Sequence, residues 1–78
     1  MASNAERIVA GLGGINNIRE IKGYTTRLNA EVKDATLLQE GALVEGGAQL
    51  VGKWRTSIRI VIDDADPIAA EIEAMLRG

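Results

Sequence analysis

Apolar positions along the chain alternate between two periods, and the alternation predicts seven elements. Ser3 and Glu6 stand at capping-box spacing, and Ile8, Val9 and Leu12 form an apolar stripe that stops at Gly13-Gly14, which predicts a first short helix. After the turn residues Asn16 and Asn17, residues 18–22 read as a strand that Gly23 breaks. Thr26, Leu28, Ala30 and Val32 then alternate with Arg27, Asn29, Glu31 and Lys33, the period of a half-buried strand. Asp34 can cap a helix over 36–45 carrying Leu37, Leu38, Ala42 and Leu43, although Gly41 weakens it by about 1 kcal/mol against alanine. Strands over 49–53 and 56–62 follow, the second with Ile58, Ile60 and Ile62 on one face and with Lys53-Trp54-Arg55 at the connection. Asp66-Pro67 reads as an N-cap followed by proline at the first helical position, and Ile68, Ile72, Met75 and Leu76 supply the buried stripe of a last helix.

The order helix, two strands, helix, two strands, helix predicts an α+β fold. Its form is an antiparallel four-stranded sheet with three helices packed on one face, a split α/β sandwich. The expectation is a single domain over residues 1–78 with a shallow site, since a chain this short cannot enclose a deep one. The strand-strand-helix unit occurs twice, a hint of internal duplication.

Composition narrows the chemistry. A net charge of -2 with both signs dispersed gives no basic footprint, so nucleic acid is not an expected partner. The chain has neither cysteine nor histidine, which excludes disulfides, a thiolate nucleophile and Ser-His or Cys-His pairs, and leaves zinc only carboxylates. Glu20, Glu31, Glu40, Glu45, Glu71 and Glu73 form no convincing acid-base pair and read as solvated faces, so no metal or cofactor is expected. Gly11-Leu12-Gly13-Gly14 is a helix stop, because no strand precedes it as a nucleotide loop requires. Met1 to Asn4 lead into a capped helix without a charged and then apolar leader, so the expectation is a cytoplasmic or recombinant soluble protein with no membrane insertion.

Ala5-Glu6-Arg7-Ile8-Val9 with Leu12-Gly13-Gly14, Asn17-Ile18, the turn before Thr26-Arg27-Leu28, and Val32-Lys33-Asp34 carry a family resemblance over nearly the whole chain. It resembles the enzyme IIB domain of the bacterial sugar phosphotransferase system, glucose and N-acetylglucosamine class. The resemblance implies a turn of the form Cys-x-Thr-Arg-Leu, whose cysteine takes a phosphoryl group from a IIA phosphohistidine and passes it to a sugar held by IIC. Thr26 and Arg27 match the phosphate-site threonine and first arginine. Tyr24 occupies the cysteine position, Asn29 the second arginine position, Lys22 a position where an acidic residue is common, and Arg59 a position where glutamine is typical. A phenol, with a pKa near ~10, is a poorer nucleophile at neutral pH than a thiol near ~8.5. Phosphocysteine transfer is therefore excluded, phosphotyrosine transfer ranks far below an inactive carrier, and the expectation is that the chain is not an enzyme.

What replaces the site is then expected to be a contact surface. Tyr24 follows a glycine at a turn, Trp54 stands beside a hairpin loop, and Arg59 is out of phase with Ile58 and Ile60. With Arg55, these are residue types that dominate binding hot spots. Val44 would extend an apolar patch toward the same side. The leading expectation is a protein-binding module, engineered on an enzyme IIB scaffold, that presents Tyr24, Trp54, Arg55, Arg59 and Val44 to the acidic cleft of a partner and inhibits it. The alternative is an enzyme IIB component of a glucose or N-acetylglucosamine phosphotransferase system that contacts IIA and IIC.

Overall fold

A computed structural model describes residues 3–78. The elements are α1 (Asn4–Gly11), β1 (Ile18–Tyr24), β2 (Arg27–Val32), α2 (Glu40–Glu45), β3 (Gln49–Trp54), β4 (Ser57–Val61) and α3 (Ala65–Arg77), with 3-10 turns at Ile15–Asn17 and Ala35–Leu37. The four strands form one antiparallel sheet in the order β1-β2-β4-β3. The helices cover one face, and their apolar sides meet Ile21, Leu28, Ala30, Val32, Ile58 and Ile60 in a core that also buries Ile8, Leu12, Leu43 and Ile72. The α+β architecture matches the periodicity of the sequence.

Local chemistry fixes the first helix. The Ser3 hydroxyl accepts from the Glu6 N–H at 3.2 Å while the Glu6 carboxylate accepts from the Ser3 N–H at 3.3 Å, the reciprocal capping box. Gly13 and Gly14, at φ of 97° and 101°, end it in backbone that side chains disfavour. Asn17 is buried rather than a simple turn residue. Its side-chain N–H groups donate to the Leu12 and Asp34 carbonyls at 2.8 and 3.0 Å, and its carbonyl accepts from the Asp34 N–H at 2.9 Å.

β3 runs through Lys53 to Trp54, so only Arg55 and Thr56 form the connection, and β4 is Ser57–Val61 rather than 56–62. Three further boundaries differ from the sequence expectation. β1 runs through Gly23 to Tyr24, because the missing side chain admits α3. A Cβ at Gly23 would lie 2.9 Å from both the Ala65 carbonyl and the Ala69 methyl group. The expected helix over 36–45 is split. Asp34 caps only the 3-10 turn, accepting from the Thr36 N–H at 2.9 Å. Leu38 then turns extended, and the Gln39 N–H donates to the Gly11 carbonyl at 2.8 Å, tying the chain to the end of α1 before α2 starts. Here a tertiary bond overrides helix propensity. Finally, α3 begins at Ala65 with Asp64 at the N-cap, so Asp66 and Pro67 lie in its first turn. Proline costs nothing there, since the first N–H groups of a helix have no intrahelical acceptor.

The two hairpins are related by a two-fold arrangement centred on the pair Asn29 and Arg59, in the middle of the β2-β4 register. Residues thirty apart correspond: Tyr24 with Trp54, Thr26 with Thr56, Leu28 with Ile58, Val32 with Ile62. Reciprocal hydrogen bonds seal the arrangement, as the Ile62 N–H donates to the Thr26 carbonyl and the Val32 N–H to the Thr56 carbonyl, each at 2.9 Å.

Candidate functional site

The face of the sheet opposite the helices is open, and strand alternation decides what stands on it. Ile21 and Gly23 face the helices, so Lys22 and Tyr24 face outward, and Tyr24 is 52% exposed. Leu28 and Ala30 are buried, which turns Arg27 and Asn29 outward on β2, and Arg59 stands between the buried Ile58 and Ile60 on β4. The start of α3, packed against Gly23 from behind, fixes the end of β1 that carries Tyr24.

Tyr24, Arg27, Asn29 and Arg59 line one open depression of about 280 Å³. Tyr24 pairs with Arg27 across the turn, and Asn29 pairs with Arg59 across β2 and β4. Among the described residues the one ion pair is Lys22 with Glu20 at 3.1 Å, so neither Arg27 nor Arg59 is neutralised by a carboxylate. Glu20 instead holds the Lys22 ammonium, raising its pKa through a hydrogen bond and its charge. The arrangement can therefore seat an anion between two guanidinium groups beside a phenol.

Arg59 also borders a second depression, of about 370 Å³, with Gly52, Lys53, Trp54 and Ser57. Its methylene stem lies 3.6 to 3.9 Å from where a Cβ on Gly52 would sit. Trp54 is 74% exposed, with the Arg55 guanidinium over its ring at 5.8 Å from the centroid. Exposure of both aromatics agrees with the sequence reading.

The expected contact residues do not converge on one depression. The turn after Tyr24 and the loop after Trp54 lie at opposite ends of the sheet, on opposite edge strands. From the strand spacing and rise, they are separated by about 14 Å across the sheet and about 13 Å along it. The cause is topological: the hairpins associate through their second strands, which pair antiparallel, so the two turns must point in opposite directions. Val44 is 66% exposed but belongs to α2, in the helical layer, and lines neither depression. Arg55 accompanies Trp54 alone.

Sequence reasoning noted Asn29 only as a departure from a family pattern, and Arg59 both as a departure and as part of the expected contact surface. The register makes them neighbours. The resemblance implied arginine at position 29 and glutamine at position 59; here the arginine stands on the adjacent strand, and the depression keeps two guanidinium groups. Strand phase showed that both residues face outward, but only strand order could show them side by side.

No family model matches the chain. It is 61% identical over 77 residues to the "PTS system N-acetylglucosamine-specific EIIB component" of Streptomyces coelicolor, covering 97% of this chain and 100% of that relative. It is 39% identical over 72 residues to the alpha-glucoside-specific EIICB component of Leptotrichia buccalis and 35% identical over 69 residues to the N-acetylglucosamine-specific EIICB component of Bacillus subtilis. These alignments cover 90% and 87% of this chain but 14% and 15% of those longer proteins. A crystal structure of one domain of a PTS IIabc component from Clostridium difficile superposes with a TM-score of 0.66 at 20% identity, covering 95% of this chain and 76% of that one, which shows a shared fold. The chain belongs to the EIIB family of the sugar phosphotransferase system.

That membership overturns the expectation that the chain is not an enzyme. A relative identical at 61% of positions is a component of a phosphotransferase system, and a missing cysteine does not take the chain out of that class. The engineered, inhibitory binder also loses its support, since the similar proteins are phosphotransferase components and no acidic-cleft partner is indicated. Among the described residues no cluster of acidic side chains is placed to hold a metal ion, and no helix is long and apolar enough to cross a membrane.

Proposed function

We propose that this chain is the EIIB component of an N-acetylglucosamine phosphotransferase system. It would work as a single domain over residues 1–78 at the cytoplasmic side of the membrane, taking a phosphoryl group from a IIA component and delivering it to sugar held by a IIC component. The observation that carries this reading is 61% identity along the full length of the Streptomyces coelicolor relative, including both hairpins. The depression formed by Tyr24, Arg27, Asn29 and Arg59 supports it chemically, since two unpaired guanidinium groups can neutralise a transferring phosphoryl group. Lys22, paired with Glu20, contributes no free charge to that group.

Reconstitution tests the reading. Membranes bearing the Streptomyces coelicolor IIC component are mixed with phosphorylated IIA partner and labelled N-acetylglucosamine, with and without this chain. Sugar phosphate that forms only when the chain is added, from N-acetylglucosamine and not from glucose, supports the assignment. If neither the chain nor its Tyr24→Cys variant supports sugar phosphorylation, the assignment is wrong.

A further inference from the structure

We propose that the corner of the sheet at the β3-β4 turn is a docking surface for an anionic lipid bilayer, with Trp54 as the residue that enters the headgroup layer. The proposal goes beyond the EIIB reading and does not depend on it.

Trp54 ends β3 at a free edge of the sheet and is 74% exposed. The row it stands in continues to Ser57 and Glu31, so the neighbouring strands offer the ring no apolar side chain to pack on. Val51, three residues back on the same strand, is 55% exposed at a break in the β3-β4 register and extends the apolar surface along this edge. Keeping such area in water costs free energy that burial against a partner recovers. An indole joins an apolar body to an N–H, the combination that favours the boundary between hydrocarbon and headgroups.

Charge selects the kind of surface. Lys53 and Arg59 line the depression beside Trp54, and the Arg55 guanidinium lies over its ring. Three of the chain's nine cations thus meet at one corner of a molecule whose net charge is -2. Among the described residues none of the three is in an ion pair. The carboxylate in the same row, Glu31, accepts from the Thr56 and Ser57 hydroxyls instead of from a cation. Phosphodiester headgroups present the opposite charge as a dense, laterally mobile array, which suits cations gathered around a protruding aromatic and needs no matching shape. The depression here is open, with Trp54 as its one apolar side chain, and lacks the enclosed apolar centre of a protein hot spot.

Docking at this corner leaves the first turn free, since that turn lies at the other end of the sheet on the opposite edge strand. One indole and three cations give weak, reversible attachment at the surface of the bilayer.

The test uses the whole chain, in which Trp54 is the sole tryptophan, and reads its fluorescence against vesicles of phosphatidylcholine alone or with phosphatidylglycerol added. The expected result is a blue shift with the anionic vesicles only, reversed by raised salt, with partitioning weakened about fivefold in Lys53→Gln and in Arg55→Gln. Arg77→Gln removes the same charge from the end of α3 and should leave partitioning unchanged. Trp54→Ala, shown by circular dichroism to be folded, should no longer sediment with the anionic vesicles. Absence of a shift with anionic vesicles overturns the proposal, as does undiminished sedimentation of Trp54→Ala. An equal shift with inorganic phosphate would make the corner a free-anion site, and equal losses in Arg77→Gln and Arg55→Gln would make the attraction a matter of total charge; either overturns it. A shift that requires a IIC component in the membrane assigns the corner to a protein and overturns lipid docking.

Discussion

The two hairpins share a backbone and differ in what surrounds their turns. Each has a two-residue loop whose first residue is a non-glycine in left-handed conformation, Thr25 at φ 50° and Arg55 at φ 55°. Each ends its first strand on an exposed aromatic, Tyr24 or Trp54, and places a threonine second in the loop. The first turn is braced from behind by α3 through Gly23, has two arginines without carboxylate partners, and faces Val61. At the second, Glu31 satisfies the loop hydroxyls and Arg55 stacks on Trp54. The turns differ in which donors are left unpaired, since the backbone geometry is common to both.

The largest expected effect separates the turns by chemistry. Arg59→Gln should slow phosphoryl transfer about 10²-fold, as loss of one preorganised donor does. Arg55→Gln, at the other corner, should leave the rate unchanged. Rapid-quench labelling by the IIA partner reads both, and equal losses would end the distinction.

Next is the bracing behind the first turn. Gly23→Ala forces a methyl group to 2.9 Å from the Ala65 carbonyl and should destabilise the fold by about 2 kcal/mol. Gly52→Ala meets Arg59 at an ordinary 3.6 Å, and the reduced chain freedom should give a change between zero and a gain of about 0.5 kcal/mol. Urea unfolding midpoints test the pair, and a mild Gly23→Ala variant would show that α3 yields.

Strain in the loops should be shared. Thr25→Gly and Arg55→Gly each relieve a positive φ, so each should stabilise by about 0.5–1 kcal/mol, the β-branched Thr25 site gaining more. A gain at only one turn in thermal unfolding would break the equivalence of the two backbones.

The smallest effect concerns acid. The Thr56 and Ser57 hydroxyls lower the Glu31 pKa in the folded chain, so this carboxylate contributes stability above its unfolded pKa, a contribution lost as pH falls through the folded value. Unfolding followed below about pH 4.5 should therefore show a weaker acid dependence in Glu31→Gln than in the unaltered chain. Asp34, lowered by hydrogen bonds from Thr36, titrates in the same direction and remains in both proteins. Identical acid profiles would mean that the second turn does not depend on its internal anion.

Periodicity made most of the fold legible. The alternation from Leu28 to Val32 and from Ile58 to Ile62 identifies the buried sides of β2 and β4, and the Ser3 and Glu6 spacing marks the start of α1. Gly23 misled because a glycine within a strand can signal either a break or a close approach, and only α3 decides between them. The split before α2 was hidden because the bond from Gln39 to Gly11 joins residues far apart in sequence. At the site, exposure of Arg59 followed from strand phase, and that of Tyr24 and Trp54 from their places beside turns. Their grouping did not, since phase fixes the face of a sheet and says nothing about which end a hairpin points to. Strand order alone joins Arg59 to Tyr24 and sends Trp54 to the opposite corner.

The most direct measurement of the central claim, that the chain is the EIIB component of an N-acetylglucosamine phosphotransferase system, is sugar phosphate formation from phosphorylated IIA partner, IIC membranes and N-acetylglucosamine. The account predicts sugar phosphate when the chain or its Tyr24→Cys variant is added and none without them. No sugar phosphate with either protein would contradict it.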